Sequence, residues 1–351
     1  MAYKSFATTA LAGLALALSG CNSDGGGGGT RDSVRAVGSS TVLPFAKVVA
    51  ETYARDNPGS PAPLIESNGT GGGIAQFCQG VGAQTPDIAN ASRRMKVGEF
   101  ETCQANGVTD ITEIQVGLDG IAFAAAKGGI QLNLTPQQVY EALAANPYGE
   151  PNQTRNWSDV DPSLPNQPIL VYGPPDTSGT SDALKELIME PGCAANAEMA
   201  ALEESDEDRY DQVCTEIRND GAYVRQGEQD NLIVQKLGNN SGAIGIFGYS
   251  YLEENLQTLA GVPINGVEPT YENISNFSYP GARPLFIYVK KAHLDAIPGL
   301  RGFVTQWAEM WQADGPLTAI GLIASPADAN AASTSAAQNF PSLTAADLSA
   351  E

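Results

Sequence analysis

The chain has 351 residues, of which 42% are hydrophobic, and this is enough material for two ordinary domains with folded cores. Its 40 acidic residues against 19 basic residues give a formal charge of −21, which argues against nucleic acid as a partner, because nucleic-acid-binding proteins present a basic face. A small buried anion is not excluded, because it responds to local N–H dipoles more than to the screened field of the whole protein. Because the chain has one histidine, His293, sites that need a second imidazole are excluded. The polar neighbours of His293 predict that it lies at an exposed helix start.

The N-terminal residues 1–20 have the pattern of a bacterial lipoprotein signal peptide. Lys4 precedes an apolar run, 7–18, that is too short to span a bilayer. The run ends in Leu18-Ser-Gly-Cys21, which resembles a lipobox, so we expect Cys21 to carry a lipid as the first residue of the mature protein. A Gly-rich tether, 21–33, follows. Plain secretion without a lipid is the alternative.

The remaining cysteines point to disulfide bonds. Without Cys21 four are left, and an even number in an exported protein suggests two disulfides. Of the three possible connectivities we favour the pairs closest in sequence, Cys78–Cys103 and Cys193–Cys214. Metal binding is the alternative, although the sequence has no Cys-x-x-Cys spacing.

Apolar strands alternate with amphipathic helices from residue 34 onward. Periodicity predicts strands at 34–38, 63–66, 87–91, 111–116, 119–126, 169–172, 242–249 and 283–289. Helices are predicted at 42–55, 74–78, 97–106, from 135, from 181, at 230–237 and at 300–312. We expect surface helix and loop in the acidic stretch 190–228 and a partly loose tail from 324. The alternation indicates an α/β protein.

Three turns rich in serine, threonine and glycine each follow a predicted strand and open a predicted helix. They contain Ser40-Thr41, Gly69-Thr70 and Ser178-Gly179-Thr180. A helix start offers N–H groups without intrahelical partners at a positive dipole end, so each turn is a candidate anion site, with ordinary N-capping as the alternative. Arg93 would add a guanidinium fork suited to phosphate. These positions follow strands, where ligands of open α/β sheets bind.

Four segments carry a family resemblance through their order along the chain. They are Val37-Gly-Ser-Ser-Thr-Val42, Asn68-Gly-Thr-Gly-Gly-Gly73, Asp87-Ile-Ala-Asn-Ala-Ser-Arg93 and Tyr172-Gly-Pro-Pro-Asp-Thr-Ser-Gly-Thr180. With them, the region 34–311 resembles the periplasmic phosphate-binding proteins of the PstS family, and the SphX-like branch most closely. The resemblance implies a type II solute-binding protein, an α/β protein with the two-lobed periplasmic-binding-protein fold and a ligand cleft between the lobes. Lobe 1 would comprise 34–120 and 287–345, and lobe 2 would comprise 121–286.

The resemblance also implies which residues bind phosphate. Lobe 1 would contribute Ser40, Thr41, Val42, Thr70, Ser92 and Arg93, and lobe 2 would contribute Ser178, Gly179 and Thr180. Better-known members have an arginine shortly before the Ser-Gly-Thr turn, where this chain has Pro174 and Pro175. We therefore expect Arg93 to supply the guanidinium.

A carboxylate in the cleft would explain discrimination against sulfate. Better-known members have an aspartate at the position of Ser92. That aspartate accepts the proton of hydrogen phosphate, and it repels sulfate because sulfate has no proton to donate. Asp119, at the expected hinge, and Asp176, beside the third turn, are the candidate proton acceptors in this chain. A structural role is the alternative for each, as a hinge hydrogen bond for Asp119 and as a helix-end charge or a partner of Arg93 for Asp176.

The function implied by the resemblance is capture of inorganic phosphate for an ABC importer. It would involve permease subunits as partners, a monomeric protein, a periplasmic or cell-surface location and membrane attachment through the lipid on Cys21. No cofactor, metal or catalytic residue is implied. The alternatives are binding of another tetrahedral oxyanion such as sulfate, a surface protein that binds phosphate without transport, and an exported serine hydrolase that uses Ser40 or Ser178. The hydrolase needs a general base, and neither Gly-x-Ser-x-Gly nor a histidine near either serine is present.

Overall fold

The computed structural model describes residues 31–227 and 230–349, so the predicted signal peptide and the lipidation residue Cys21 lie outside the described residues. The strands are β1 (Arg35–Gly38), β2 (Leu64–Ser67), β3 (Ile88–Ala91), β4 (Ile111–Ala126), β5 (Val171–Gly173), β6 (Tyr223–Arg225), β7 (Ile244–Gly248), β8 (Leu259–Gly261) and β9 (Ala282–Lys290). The helices are α1 (Leu43–Asp56), α2 (Thr70–Phe77), α3 (Val97–Ala105), α4 (Pro136–Leu143), α5 (Trp157–Val160), α6 (Gly179–Leu184), α7 (Glu190–Ala194), α8 (Ala197–Ser205), α9 (Glu207–Thr215), α10 (Asn231–Asn239), α11 (Tyr249–Glu254), α12 (Tyr271–Ser275), α13 (Leu300–Met310), α14 (Ala327–Asn339) and α15 (Ala345–Leu348).

Local sequence explains where several helices begin. Helix α1 has Pro44 in its first turn, where a missing backbone N–H interrupts no helical hydrogen bond. Helix α4 follows Thr135, which exchanges two hydrogen bonds with Gln138. The Gln138 N–H donates to Thr135 Oγ1 at 3.1 Å, and the Thr135 N–H donates to Gln138 Oε1 at 3.0 Å. This reciprocal capping fixes the helix start that the sequence predicts there.

One long strand, β4, joins the two halves of the molecule. The strand order is β2-β1-β3-β9-β4-β7-β5-β6, with β8 also paired to β4. Residues Ile111–Gly120 of β4 pair with β9, and the segment from Ile121 pairs with β7. Each half combines a parallel part, β2-β1-β3 or β7-β5-β6, with antiparallel neighbours. The expected α/β class is thus confirmed, and the sheet divides into two parts along β4.

Each half has its own hydrophobic core. In the first half, α1 and α13 bury Val49, Phe303 and Trp307 against one face of the sheet, while α2 and α3 cover the other face. In the second half, Phe123 and Trp157 belong to a separate large core. Full burial of one large apolar side chain contributes about 1.5–3 kcal/mol, so the core of each half stabilises the fold. Every helix within 31–227 and 230–349 is too short or too polar to span a bilayer.

Disulfide bonds hold helices together in each half. Cys78–Cys103 joins the end of α2 to α3, and Cys193–Cys214 joins α7 to α9. Both pairs agree with the connectivity favoured from the sequence.

Three expectations about local structure were wrong. The segments 111–116 and 119–126 form a single strand with a register shift near Gly117. The tail from 324 contains the ordered helix α14, which packs against β4 and α13, because its many alanines have high helix propensity. His293 is 2% exposed rather than on the surface. Its Nδ1 lies 2.6 Å from the buried carboxylate of Asp87 and its Nε2 lies 2.9 Å from the Val81 carbonyl oxygen.

Candidate ligand-binding cleft

A cavity of about 260 Å³ lies where the two halves meet. Its wall combines the start of α1, the start of α6, the β4 crossing and the end of β7 with the start of α11. The lining residues are Ser40, Thr41, Pro44, Phe45, Asp119, Gly120, Ser178, Gly179, Thr180, Asp230, Gly248, Ser250, Tyr251, Ile320 and Gly321. Two of the three hydroxyl turns predicted from the sequence therefore face one cavity, one turn from each half.

The turn between β1 and α1 forms the first wall. Gly38 ends β1 with φ +140°, and a Cβ at this position would overlap the Asn90 carbonyl oxygen, so only glycine fits. The Ser39 N–H donates to the same carbonyl at 2.9 Å. The Leu43 N–H then donates to the Ser39 carbonyl at 3.1 Å and starts the helix. This arrangement brings Thr41, which is buried, to the cavity wall at the helix start.

The turn before α6 forms the facing wall. The Ser178 side chain accepts a hydrogen bond from the Thr180 N–H at 3.2 Å. Ser178 therefore also acts as the N-cap of α6, as the alternative of ordinary N-capping predicts. A Cβ built on Gly179 would lie 2.9 Å from Thr41 Cα, closer than side-chain atoms pack. Glycine at this position therefore allows the turns of the two halves to approach each other.

Side chains also connect the two halves directly. The Ser40 hydroxyl donates to the carboxylate of Asp182 on α6. Thr41 Oγ1 lies 3.5 Å from the Gly179 carbonyl oxygen. These contacts join lobe surfaces on opposite sides of the cavity, so the described state is a closed one.

A buried guanidinium, Arg283, lies beside the cavity. Its side chain is 5% exposed, and Nε donates to Asp119 Oδ2 at 3.1 Å. Nη2 donates to Thr41 Oγ1 at 2.9 Å, and Nη1 donates to the carboxylate of Glu186. Arg283 lies opposite Asp119 in the β4–β9 register. Its position beside the cavity was not predicted, although a charged residue directly before the apolar run Pro284–Val289 was the available signal in the sequence.

Arg93 lies elsewhere in the first half. Its guanidinium forms a two-bond ion pair with Glu99 of α3, at 2.7 and 2.9 Å, and it is not among the residues that line the cavity. Burial acts to raise the pKa of Glu99, but hydrogen bonds from Arg93 and from the Lys96 backbone hold it below its usual value. The guanidinium beside the cavity is therefore that of Arg283, which contacts the lining residues Asp119 and Thr41, rather than the expected Arg93.

The third hydroxyl turn is also separate from the cavity wall. Thr70 Oγ1 lies 3.0 Å from Ser92 Oγ and accepts from the Ser92 N–H at 3.1 Å. Neither residue lines the cavity. Thr70, Ser92 and Arg93 instead lie together near the start of α2, outside the cavity wall. Val42 directly precedes α1 and is fully buried.

The two candidate proton acceptors have different positions. Asp119 lines the cavity next to Arg283, whereas Asp176 is 55% exposed and pairs with Arg225 at 2.9 Å outside the cavity. A further acid that sequence reasoning missed, Asp230, lines the cavity and accepts from the Gly248 N–H at 3.0 Å. Burial, and then Asp230, raises the pKa of Tyr251, which also lines the cavity. Among the described residues, no group of three or more His, Cys, Asp or Glu side chains is arranged to hold a metal ion.

Comparison with known proteins supplies the family. A family model described as a PBP superfamily domain matches residues 25–307. The chain belongs to the PBP superfamily. It is 34% identical over 316 residues to the protein SphX of Synechococcus elongatus, and the match covers 87% of this chain and 81% of SphX. The phosphate-binding protein PstS of Staphylococcus saprophyticus is 29% identical, with 86% of this chain and 84% of that protein covered.

Solved structures of similar proteins have the same fold. A crystal structure of a possible phosphate-binding protein from Planctomyces limnophilus superposes with a TM-score of 0.71 at 27% identity, and covers 89% of this chain and 99% of that one. An ABC-type phosphate transport receptor from Vibrio cholerae superposes with a TM-score of 0.53 at 18% identity, over 78% of this chain and 93% of that one. The resemblance to PstS and SphX proteins and the two-lobed fold are thereby confirmed.

Proposed function

We propose that this PBP superfamily protein captures inorganic phosphate outside the cytoplasm and delivers it to an ABC importer. The observation that carries the proposal is the meeting of two hydroxyl-rich helix starts, Ser40-Thr41 and Ser178–Thr180, at one cavity beside a buried guanidinium. The names of the relatives agree with this ligand, since PstS of S. saprophyticus is a phosphate-binding protein. The lobes are taken to be 34–120 with 287–345, and 121–286. The change of sheet partners within β4 supports the first boundary.

The proposed ligand set comes from both lobes. Thr41 and the Val42 N–H would bind phosphate from the first lobe, and Ser178, Gly179 and Thr180 would bind it from the second. A small tetrahedral anion needs many converging donors, and each hydrogen bond to a charged group contributes about 1.5–3 kcal/mol. Arg283, whose Nη2 already contacts Thr41, would supply the positive charge in place of Arg93. Thr70 and Ser92 are kept as candidates at the edge of the set.

Asp119 is the proposed proton acceptor. It lines the cavity, and its Oδ2 accepts from Arg283 Nε, so a second oxygen is available for a donor on the ligand. An ionised carboxylate only accepts hydrogen bonds. Hydrogen phosphate can donate a hydrogen bond to it, whereas sulfate has no proton to donate and would be repelled by the carboxylate. Asp176 is disfavoured because it does not line the cavity and both of its carboxylate oxygens accept from Arg225.

The proposal is for binding without catalysis. Ser40 donates its hydroxyl to Asp182, and Ser178 caps a helix, so each candidate nucleophile already has a structural partner. The single histidine is buried against Asp87 in the first half rather than beside either serine. We further propose that the protein is a monomer outside the cytoplasm, held at a membrane by a lipid on Cys21, with permease subunits as partners.

Titration calorimetry with the purified protein tests the proposed ligand. We expect phosphate to bind at one site per chain, and a large excess of sulfate to leave that binding unchanged. Displacement by sulfate would assign the cleft to a different oxyanion. No heat with phosphate would overturn the proposal.

A further inference from the structure

Arg283 is shared between two carboxylates from opposite lobes. Asp119 lies across the β4–β9 pairing and is 19% exposed. Glu186 comes from the second lobe and is 45% exposed. Asp119 is fixed by its strand, whereas Glu186 reaches the guanidinium through a longer and more exposed side chain.

The local backbone places Glu186 within reach of Arg283. Helix α6 ends at Leu184, and the next residues, Lys185–Met189, form a wider π turn before α7. Such turns within helices often occur at functional sites, because they change the direction of the side chains that follow. Here the turn begins one residue before Glu186 and follows directly from the helix that starts at Ser178-Gly179-Thr180.

The charge of Glu186 also acts on Arg93. Glu99 is the main cause that raises the pKa of Arg93, but Glu186 also contributes to this increase. Glu186 is therefore close enough to influence Arg93 while it forms an ion pair with Arg283. The Glu186 carboxylate thus forms an ion pair with Arg283 at the junction of the two lobes.

The charges around Arg283 limit what else can bind it. One guanidinium with two carboxylates carries a formal charge of −1, so a phosphate dianion would meet net repulsion while both acids stay in place. One of the two carboxylates must move away before phosphate can use the guanidinium. Glu186 is the more exposed one, and water can solvate its carboxylate after it leaves.

We propose that Glu186 is a built-in competitor for the ligand. Its carboxylate engages Arg283 in the closed state without phosphate, and phosphate displaces it on binding. This inference rests on the proposed function, since it takes phosphate as the ligand beside Arg283. The competitor lowers the affinity for every anion and favours ligands with a high charge, because only these outcompete a carboxylate for the guanidinium.

The variant Glu186→Gln tests the inference by calorimetry with phosphate. The amide has the same shape but lacks the charge, so we expect the phosphate Kd to fall roughly five- to tenfold. Glu204→Gln is the matched control, because it removes the same charge from an exposed position in α8 of the same lobe. We expect the control to bind phosphate as the wild type does.

A second measurement follows the closed state itself. Small-angle scattering without phosphate should show a larger radius of gyration for Glu186→Gln than for the wild type, and the difference should vanish when phosphate is added. A higher Kd for Glu186→Gln would mean that the ion pair persists in the phosphate complex, and this would overturn the inference. An unchanged Kd, or a change equal to that of the control, would also overturn it. If neither the wild type nor the variant binds phosphate, the proposed function itself fails.

Discussion

Replacing Arg283 with methionine removes the proposed positive charge of the cleft while roughly keeping the length of the side chain. In the structure Arg283 donates to Asp119 at 3.1 Å and to Thr41 at 2.9 Å, so it lies within reach of a ligand at Thr41. Two charge-assisted hydrogen bonds to phosphate, at about 1.5 kcal/mol each, amount to about 3 kcal/mol, or about 100-fold in Kd. The variant also leaves Asp119 without its guanidinium partner near the anion, so we expect at least this loss.

Calorimetry with phosphate measures the loss, and Arg93→Met is the control. Arg93 pairs with Glu99 away from the cavity wall, so we expect its replacement to change the Kd by less than about threefold. Circular dichroism and the thermal unfolding midpoint would show that both variants are folded. A larger loss for Arg93→Met than for Arg283→Met would refute the assignment of Arg283 and restore Arg93 to the site.

Three other changes test separate parts of the structure. Asp119→Asn should weaken phosphate binding and let sulfate compete in calorimetry, whereas Asp176→Asn should do neither. Gly179→Ala should weaken phosphate binding at least about tenfold, because its Cβ would lie 2.9 Å from Thr41 Cα and hold the lobes apart. Burial lowers the pKa of Lys290 from 10.5 to about 7. Above pH 7 the unfolded chain therefore binds more protons than the folded protein, and the unfolding free energy rises with pH by up to about 1.4 kcal/mol per unit. We expect Lys290→Met to lack this pH-dependent increase.

Each of these expectations has a control or a contradicting result. Retained rejection of sulfate by Asp119→Asn would remove Asp119 as the proton acceptor. Gly82→Ala is the control for Gly179→Ala, because a Cβ at Gly82 meets no atom within 4 Å, and equal effects would contradict the steric argument. Lys291→Met is the control for Lys290→Met in urea unfolding between about pH 7.5 and about pH 9.5. An unchanged pH dependence in Lys290→Met would show that the buried amine does not titrate in this range.

Much of the fold follows from local patterns in the sequence. The apolar runs that became β1, β3, β7 and β9 are short and bounded by turn residues, so their periodicity was clear. The helix in the tail was harder to predict, because α14 has alanine and serine on most of its faces and almost no apolar stripe. Its position depends on packing against β4 and α13, which local sequence does not encode.

The site was predictable only in part, for a physical reason. Helix starts such as Thr41 and Ser178 have local signatures, and the sequence located both. The choice between Arg93 and Arg283 depends on tertiary partners. Glu99 lies six residues from Arg93 and engages it, whereas Arg283 meets Asp119 through strand pairing across 164 residues. Likewise His293 became a buried partner of Asp87 across 206 residues, which its polar sequence neighbours did not indicate.

A crystal structure of the protein grown with phosphate tests the central claim most directly. We expect one phosphate between the lobes, within hydrogen-bond distance of Thr41, Ser178, Thr180 and Arg283, with the Glu186 carboxylate turned away from the guanidinium. A phosphate bound at another surface, or a cleft in which Arg283 keeps both carboxylates and contacts no anion, would contradict the account.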